Sequence, residues 1–465
     1  MPRRKLVLAV TLLCIAAALL GMAASAQART QTVLKGTEEL GLANKGAHDT
    51  TAKVDFLATK LHAQLLRFGV RWSKIEPQRG SYDVAYLNQL AKTFHAAASD
   101  GVKVFVNLSD TPRWASDRTL WRYAPPGYAR YVYRGFYPPA VKYLGGYQAF
   151  ATKLATTFGN DVTGYECRNE PNLWTSMYPQ TTPSDAAFGV RRYAAMLKAF
   201  SKGVRAGDPS ALVIAGATGP VGRNTSLQTS PQRFAKLLKT MVKLSVFDAY
   251  SHHPYTVGGT SNIAPEAMPR DPAHVVSLGN ISTLLKIFPS KPFYLTEYGY
   301  YTRYSAPFGF SVSQSKQASF VTRAYAYAAR FPQVKALLWY PYRDSGNDHP
   351  SKGIYGTYSG LVTGNGVFKP SWYVFSGGNN LTLGAAATTG ASVHLSGVLT
   401  SAAMGGLRGK ALVLYRRTAG HAWRVARNLT TGANGAYHVT VKTSGTTFFK
   451  VAWLGVVGSP ALAVK

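Results

Sequence analysis

A chain of 465 residues with 52 Lys and Arg against 20 Asp and Glu carries a formal net charge of +32, so its surface attracts polyanions and repels cationic partners. Its only cysteines are Cys14 and Cys167, and a chain of this length can bury a core without disulfide staples.

At the start, Arg3, Arg4 and Lys5 form a positive segment, Leu6 to Leu20 an apolar run, and Ala26-Gln27-Ala28 a small-x-small cleavage site. That layout predicts a secretory signal peptide over residues 1–28 and a mature chain beginning near Arg29. Cys167 is then the only cysteine left, which rules out an intrachain disulfide. The apolar run is short for a membrane span, and no later segment is expected to cross a bilayer. An exported chain meets anionic wall polymers or acidic polysaccharides, and these, not nucleic acid, are the expected polyanions.

From Thr32 to about Phe375 short apolar runs alternate with amphipathic stretches. The runs are Val33-Leu34, Gln64 to Val70, Val102 to Leu108, Val162 to Cys167, Ala211 to Ala215, Phe247 to Ser251, Pro292 to Thr296 and Val334 to Tyr340. Between them, helical spacing is clear in Leu87, Leu90, Ala91 and Phe94, closed by Asp100-Gly101. Near-continuous apolar strands alternating with helices imply a parallel sheet buried on both faces. Eight such units predict an α/β fold, a (β/α)₈ TIM barrel over residues 29–376. A doubly wound open sheet competes, but no Gly-rich phosphate turn follows an early strand. Long aromatic loops, Asp110 to Gly146 and Tyr298 to Phe310, follow the third and seventh strands at the face where barrel sites form.

After Gly377-Gly378-Asn379-Asn380 the composition changes. Leu381 to Lys465 has nine Lys or Arg and no acidic residue, with alternating segments Ala411 to Tyr415, Ala436 to Lys442 and Thr447 to Trp453. This predicts a small all-β, immunoglobulin-like sandwich over 381–465, an accessory unit that binds wall polymer, holds the barrel near a surface, or caps it.

In an acid-poor chain, two strand-end carboxylates stand out. Glu170 follows the fourth strand in Asn169-Glu170-Pro171-Asn172, and Glu297 follows the seventh in Thr296-Glu297-Tyr298-Gly299. Strands four and seven of a closed eight-stranded barrel face each other across the mouth, so the two side chains can converge. Cleavage of a glycosidic bond needs two carboxylates so placed.

These motifs resemble clan A of the glycoside hydrolases, in particular cellulase-like and xylosidase-like members of families 5 and 39, over about residues 60 to 375. Further segments match in order: Leu66-Arg67-Phe68-Gly69, the loop from Arg71-Trp72 through Glu76-Pro77 to Tyr82, Ser251-His252-His253-Pro254-Tyr255, and Trp339 at the end of the eighth strand. The resemblance implies retaining hydrolysis of a β-linked oligo- or polysaccharide, with Glu170 as acid/base and Glu297 as nucleophile. It implies substrate-site roles for Arg67, Asn169, His253, Tyr255 and Trp339. Arg67 and Tyr255 would keep the nucleophile ionised, Asn169 would bind the sugar 2-hydroxyl, His253 would orient neighbours or touch substrate, and Trp339 would form a subsite floor. Asp110, Arg113 and Trp114 are further cleft candidates, whereas Glu76 with Pro77 closes a loop at the rim. Arg168 departs from the family, which carries an apolar residue there. Regular alternation would place it beside Glu170, weakening that acid; otherwise it would pair with Glu166 or read an anionic group on the substrate. No cofactor or metal is expected, since His252-His253 and His349 are too sparse for a ligand set. A barrel that binds sugar without cleaving it, or one that transfers sugar to sugar, carries the same motifs. Sugar, linkage and oligomeric state stay open.

Overall fold

A computed structural model describes residues 32–123, 135–257, 263–304, 309–346, 356–389, 392–443, 445–453 and 457–464. The expected signal peptide, His349 and parts of the two long aromatic loops lie outside these residues.

Eight parallel strands close into a barrel in sequence order. They are β1 (Leu34–Thr37), β2 (Leu65–Arg71), β3 (Lys103–Ser109), β4 (Gly164–Cys167), β5 (Leu212–Thr218), β6 (Ala249–His252), β7 (Phe293–Tyr298) and β8 (Val334–Trp339). Each of the eight apolar runs contains or overlaps one of them. Helices pack outside: α1 (Thr50–Thr59), α2 (Val84–Ser99), α3 (Leu144–Phe158), α4 (Phe188–Gly207), α5 (Pro231–Met241), α6 (Ser282–Leu285), α7 (Gln314–Ala328) and α8 (Pro370–Ser376). In α2 the Asp83 side chain caps the start by accepting from Tyr86 N–H, and Leu87, Leu90 and Phe94 are buried. Gly101 ends it at φ 74°, a left-handed position that suits glycine.

Strand alternation divides the apolar residues into two shells. Leu65, Phe105, Ile214, Ala249, Ala336 and Leu338 fill the barrel interior, with Leu34, Leu212 and Tyr294 against them. Alternate residues such as Leu66, Phe68, Val104, Val106 and Leu337 face the helices. Emptying one interior position, as in Phe105→Ala, costs about 3–5 kcal/mol.

Residues beyond Gly377 form an all-β region of two five-stranded sheets. One holds β9 (Asn379–Leu381), β10 (Gly384–Thr389), β11 (Ser392–Ser401), β12 (Gly405–Gly406) and β15 (Ala436–Lys442). The other holds β13 (Ala411–Thr418), β14 (Arg424–Thr430), β16 (Thr447–Trp453), β17 (Val457–Gly458) and β18 (Leu462–Val464). Tyr373 of α8 makes the seam with the barrel: its ring meets Trp453 edge-on at 5.2 Å, and Lys410 Nζ lies 4.9 Å from its centroid. Among the described residues, no helix is long and apolar enough to cross a membrane.

Candidate active site

Inward alternation carries polar side chains from several strands to the C-terminal rim. On β1 the inward Leu34 and Gly36 lead to Glu38; on β2 Leu65 leads to Arg67; on β3 Phe105 leads to Asn107; beyond β6, Ala249 and Ser251 lead to His253. Glu297 arrives by a different route. Leu295 pairs with Leu337 and Tyr298 with Trp339, so Thr296 and Glu297 both stand opposite the single Leu338. This one-residue bulge aims Glu297 into the barrel mouth.

Arg67 is the centre of the arrangement and is 2% exposed. Its Nε donates to Glu166 at 2.6 Å, Nη1 to Glu38 at 2.9 Å and to Glu297 at 2.7 Å, and Nη2 to Asn169 Oδ1 at 2.7 Å. An arginine on an apolar strand is tolerable inside a protein only when its charge is met, and here three carboxylates share it.

One cation cannot neutralise three carboxylates, and their surroundings decide which holds a proton. Glu166 also accepts from Asn107 at 3.2 Å and Thr296 at 2.9 Å. Burial pushes its carboxyl up, but Arg67, His253 and a hydrogen bond from Ser251 together outweigh burial and hold it below the usual range. For Glu38 burial wins: its carboxyl is pushed up to about 7, with Arg67 opposing and Glu297 adding to the rise.

Glu297 Oε1 accepts from Arg67, and its Oε2 accepts from the Tyr255 hydroxyl at 3.1 Å. Burial, with Glu297 adding to it, holds the Tyr255 phenol well above its ordinary value, so it stays a donor. His253 Nδ1 lies 3.0 Å from Glu170 Oε1 and 3.6 Å from Glu297 Oε1. Burial alone would lower the His253 imidazole, but Glu297 and Glu170 outweigh it and raise it above its ordinary value. The ring lies between the two acids, whose charges favour its protonated form. His252, one residue earlier, faces outward; burial pushes it down to about 3, and it stays neutral between Thr218 Oγ1 at 2.8 Å and the Val276 carbonyl at 2.9 Å. Adjacent histidines on opposite faces are thus shifted in opposite directions.

An oxygen of Glu170, an oxygen of Glu297 and a nitrogen of His253 lie within 4.8 Å of one another. The same three groups could hold a metal ion, provided His253 Nδ1 carried no proton.

The turn after β4 sets Glu170. Arg168 has φ 80° and Glu170 φ 40°, left-handed positions that cost a non-glycine residue about 1–2 kcal/mol each. Arg168 N–H returns to the Glu166 carbonyl at 3.1 Å, and Glu170 N–H reaches the Ala217 carbonyl at 2.9 Å. Alternation ends here, which corrects all three expectations for Arg168. Its buried guanidinium turns away from the mouth and donates to the carbonyls of Asp110 at 2.5 Å and Gly135 at 2.6 Å, to Thr111 Oγ1 at 3.1 Å, and to the Ser176 carbonyl. It touches neither Glu166 nor the cleft. Asn172 locks the turn onto the β5 loop: Gly219 N–H donates to its Oδ1 at 2.8 Å, and its Nδ2 donates to the Thr229 carbonyl at 3.0 Å.

The expected site residues thus fall into different places. Glu170, Glu297, Arg67, Asn169, His253 and Tyr255 come together. Only Asn169 of the expected substrate contacts is part-exposed; Arg67, His253 and Tyr255 are buried, with Arg67 held among Glu38, Glu166, Glu297 and Asn169, His253 Nδ1 between the two acids, and the Tyr255 hydroxyl on Glu297. Trp339 requires correction. On β8 the inward positions are Ala336 and Leu338, so Trp339 points outward, is fully buried, and donates its indole N–H to the Ser359 carbonyl at 2.7 Å. The next inward position is Tyr340, part-exposed, whose phenol is held well above its ordinary value by burial and then by Glu297 and Glu38. Trp114 packs edge-on against Trp72 at 5.4 Å and Asp110 accepts from Arg71 at 2.9 Å, whereas Arg113 is exposed. Glu76 accepts from Trp72 Nε1 at 2.7 Å and Gly80 N–H at 2.8 Å, closing the rim loop. Sequence reasoning left out Glu38 and Tyr340, although counting by twos along β1 and β8 reaches both.

The sequence matches the model of the cellulase family, glycosyl hydrolase family 5, over residues 26–323. Among curated proteins none matches. Of solved structures, a family 39 glycoside hydrolase from the gut symbiont Bacteroides cellulosilyticus WH2 is 18% identical with a TM-score of 0.50, covering 91% of this chain and 81% of that one. GH5_18 from Streptomyces cattleya, solved with GlcNAc, is 16% identical with a TM-score of 0.52, covering 74% of this chain and 79% of that one. At these identities the likeness is one of fold.

Proposed function

The chain belongs to glycosyl hydrolase family 5, and from that premise we propose that it hydrolyses a β-linked oligo- or polysaccharide outside the cell with retention of anomeric configuration. In this reading Glu297 attacks the anomeric carbon while Glu170 protonates the departing oxygen. A covalent glycosyl-enzyme forms and the leaving sugar departs as an alcohol. Glu170, now a carboxylate, takes a proton from water, whose oxygen displaces Glu297 and restores the enzyme.

One observation carries the proposal: a carboxylate oxygen of each acid lies within 4.8 Å of the other. Double displacement works with the carboxyl groups about 5–5.5 Å apart, whereas single displacement needs roughly 6.5–9.5 Å to admit a water. Arg67 and Tyr255 donate to the two Glu297 oxygens and fix the carboxyl group's orientation in the mouth. Asn169, fixed through its Oδ1 by Arg67, keeps its amide N–H groups as donors for a sugar hydroxyl. Tyr340 takes the place of the subsite floor. The C-terminal sheets serve as an immunoglobulin-like accessory unit.

The test is covalent trapping. The enzyme is incubated with 2,4-dinitrophenyl 2-deoxy-2-fluoro-β-glycosides of the gluco, manno, galacto and xylo series, then digested for peptide mass spectrometry. A fluoroglycosyl adduct on Glu297 is expected from at least one. An adduct elsewhere, or turnover of the parent glycosides with no adduct from any, refutes the assignment.

A further inference from the structure

The second C-terminal sheet carries an unfavourable arrangement. Arg416 of β13 and Arg424 of β14 are direct cross-strand partners, and both are exposed. Like charges placed opposite one another destabilise a strand pair. Arg417, His421 and Lys442 line the same cleft, of about 650 Å³. No Asp or Glu occurs from Leu381 to Lys465 to offset these cations.

The cleft is also braced. The Arg417 guanidinium lies 4.9 Å from the Trp423 ring centroid and 5.3 Å from that of Phe448, and Lys450 Nζ lies 4.6 Å from Trp423. These contacts hold cations in place without cancelling their charge. Arg417 Nε is itself buried without an acceptor, so any anion would meet this side chain at its terminal nitrogens. Arginine forks match carboxylate and phosphate oxygens in pairs, so an anion with several such groups would relieve the repulsion between Arg416 and Arg424.

We propose that this cleft binds an anionic polysaccharide and holds it beside the barrel. The inference rests on the glycosidase reading only in choosing a glycan over another polyanion.

The experiment uses the full chain carrying Glu297→Gln, so that binding is read without hydrolysis. Affinity is measured for polygalacturonate, a phosphomannan, a neutral mannan and duplex DNA, at low and high salt. A second protein adds Arg416→Ser, Arg424→Ser and Lys442→Ser. Expected are binding of polygalacturonate or phosphomannan, weakening with salt, and at least a tenfold loss in the triple variant with its melting temperature preserved. Which of the two binds identifies the anion. Neither binding, a triple variant within twofold of its parent, neutral mannan held equally well, or DNA held more tightly than both anionic glycans overturns the proposal. Because no outcome depends on turnover, failure of the cleft and failure of the glycosidase reading remain separable.

Discussion

Arg67 reaches Glu297 through the same nitrogen that it gives to Glu38, at 2.7 Å and 2.9 Å. One guanidinium on β2 thus orients the residue proposed to attack and links it to a third carboxylate just after β1. Removing one partner of a buried ionic cluster leaves the rest uncompensated, at a cost of about 3–5 kcal/mol. Arg67→Met should lose that much stability in urea denaturation along with nearly all activity; an unchanged midpoint would contradict the network.

Glu38 gives the network a pH signature. Its folded pKa, about 7, lies above the ordinary 4.5 because burial favours the neutral acid. The stability this contributes is fully present below pH 4.5 and is lost as pH rises through about 7, on the order of 3 kcal/mol in all. Glu38→Gln fixes the neutral form. Its unfolding free energy should therefore fall less than the parent's between about pH 5 and 8, and parallel curves would contradict the assignment.

An added Cβ at Gly219 would force the neighbouring side chains to shift. A Cβ there would lie 2.6 Å from Leu173 Cδ1 and 2.9 Å from Glu170 Oε1. Gly219→Ala should displace Glu170 and lower kcat by about a hundredfold, the scale of a 1 Å misplacement. Steady-state kinetics with normal kcat in a folded variant would show that Glu170 has room to move.

Trp339 and Tyr340 should separate cleanly. Trp339 faces the helices, so Trp339→Ala opens a cavity and costs about 3–5 kcal/mol in thermal or urea unfolding. Tyr340→Ala should cost less stability than Trp339→Ala while raising KM or lowering kcat. The reverse pattern would restore Trp339 as the sugar-facing residue.

Much of the fold and site is legible in the sequence. Apolar runs located all eight strands because parallel barrel strands are buried on both faces. Glu170 and Glu297 were readable from strand ends in an acid-poor chain. The misplacements share one physical origin, the local backbone path. The motif position of Trp339 suggests a sugar contact, whereas the inward Ala336 and Leu338 lead to Tyr340. Arg168 was placed by regular alternation, which its left-handed backbone ends. Glu297 faces inward because of a bulge that no residue type announces. Glu38 follows a four-residue strand, too short for its alternation to stand out.

The central claim is that Glu297 and Glu170 act on one anomeric centre in two successive displacements. It is tested most directly by following hydrolysis of p-nitrophenyl β-glycosides, across the sugar panel, by proton NMR from the first seconds. The β-anomer of the free sugar should form first and only later equilibrate with the α-anomer. If the α-anomer forms first, the carboxylates act by single displacement and the account fails.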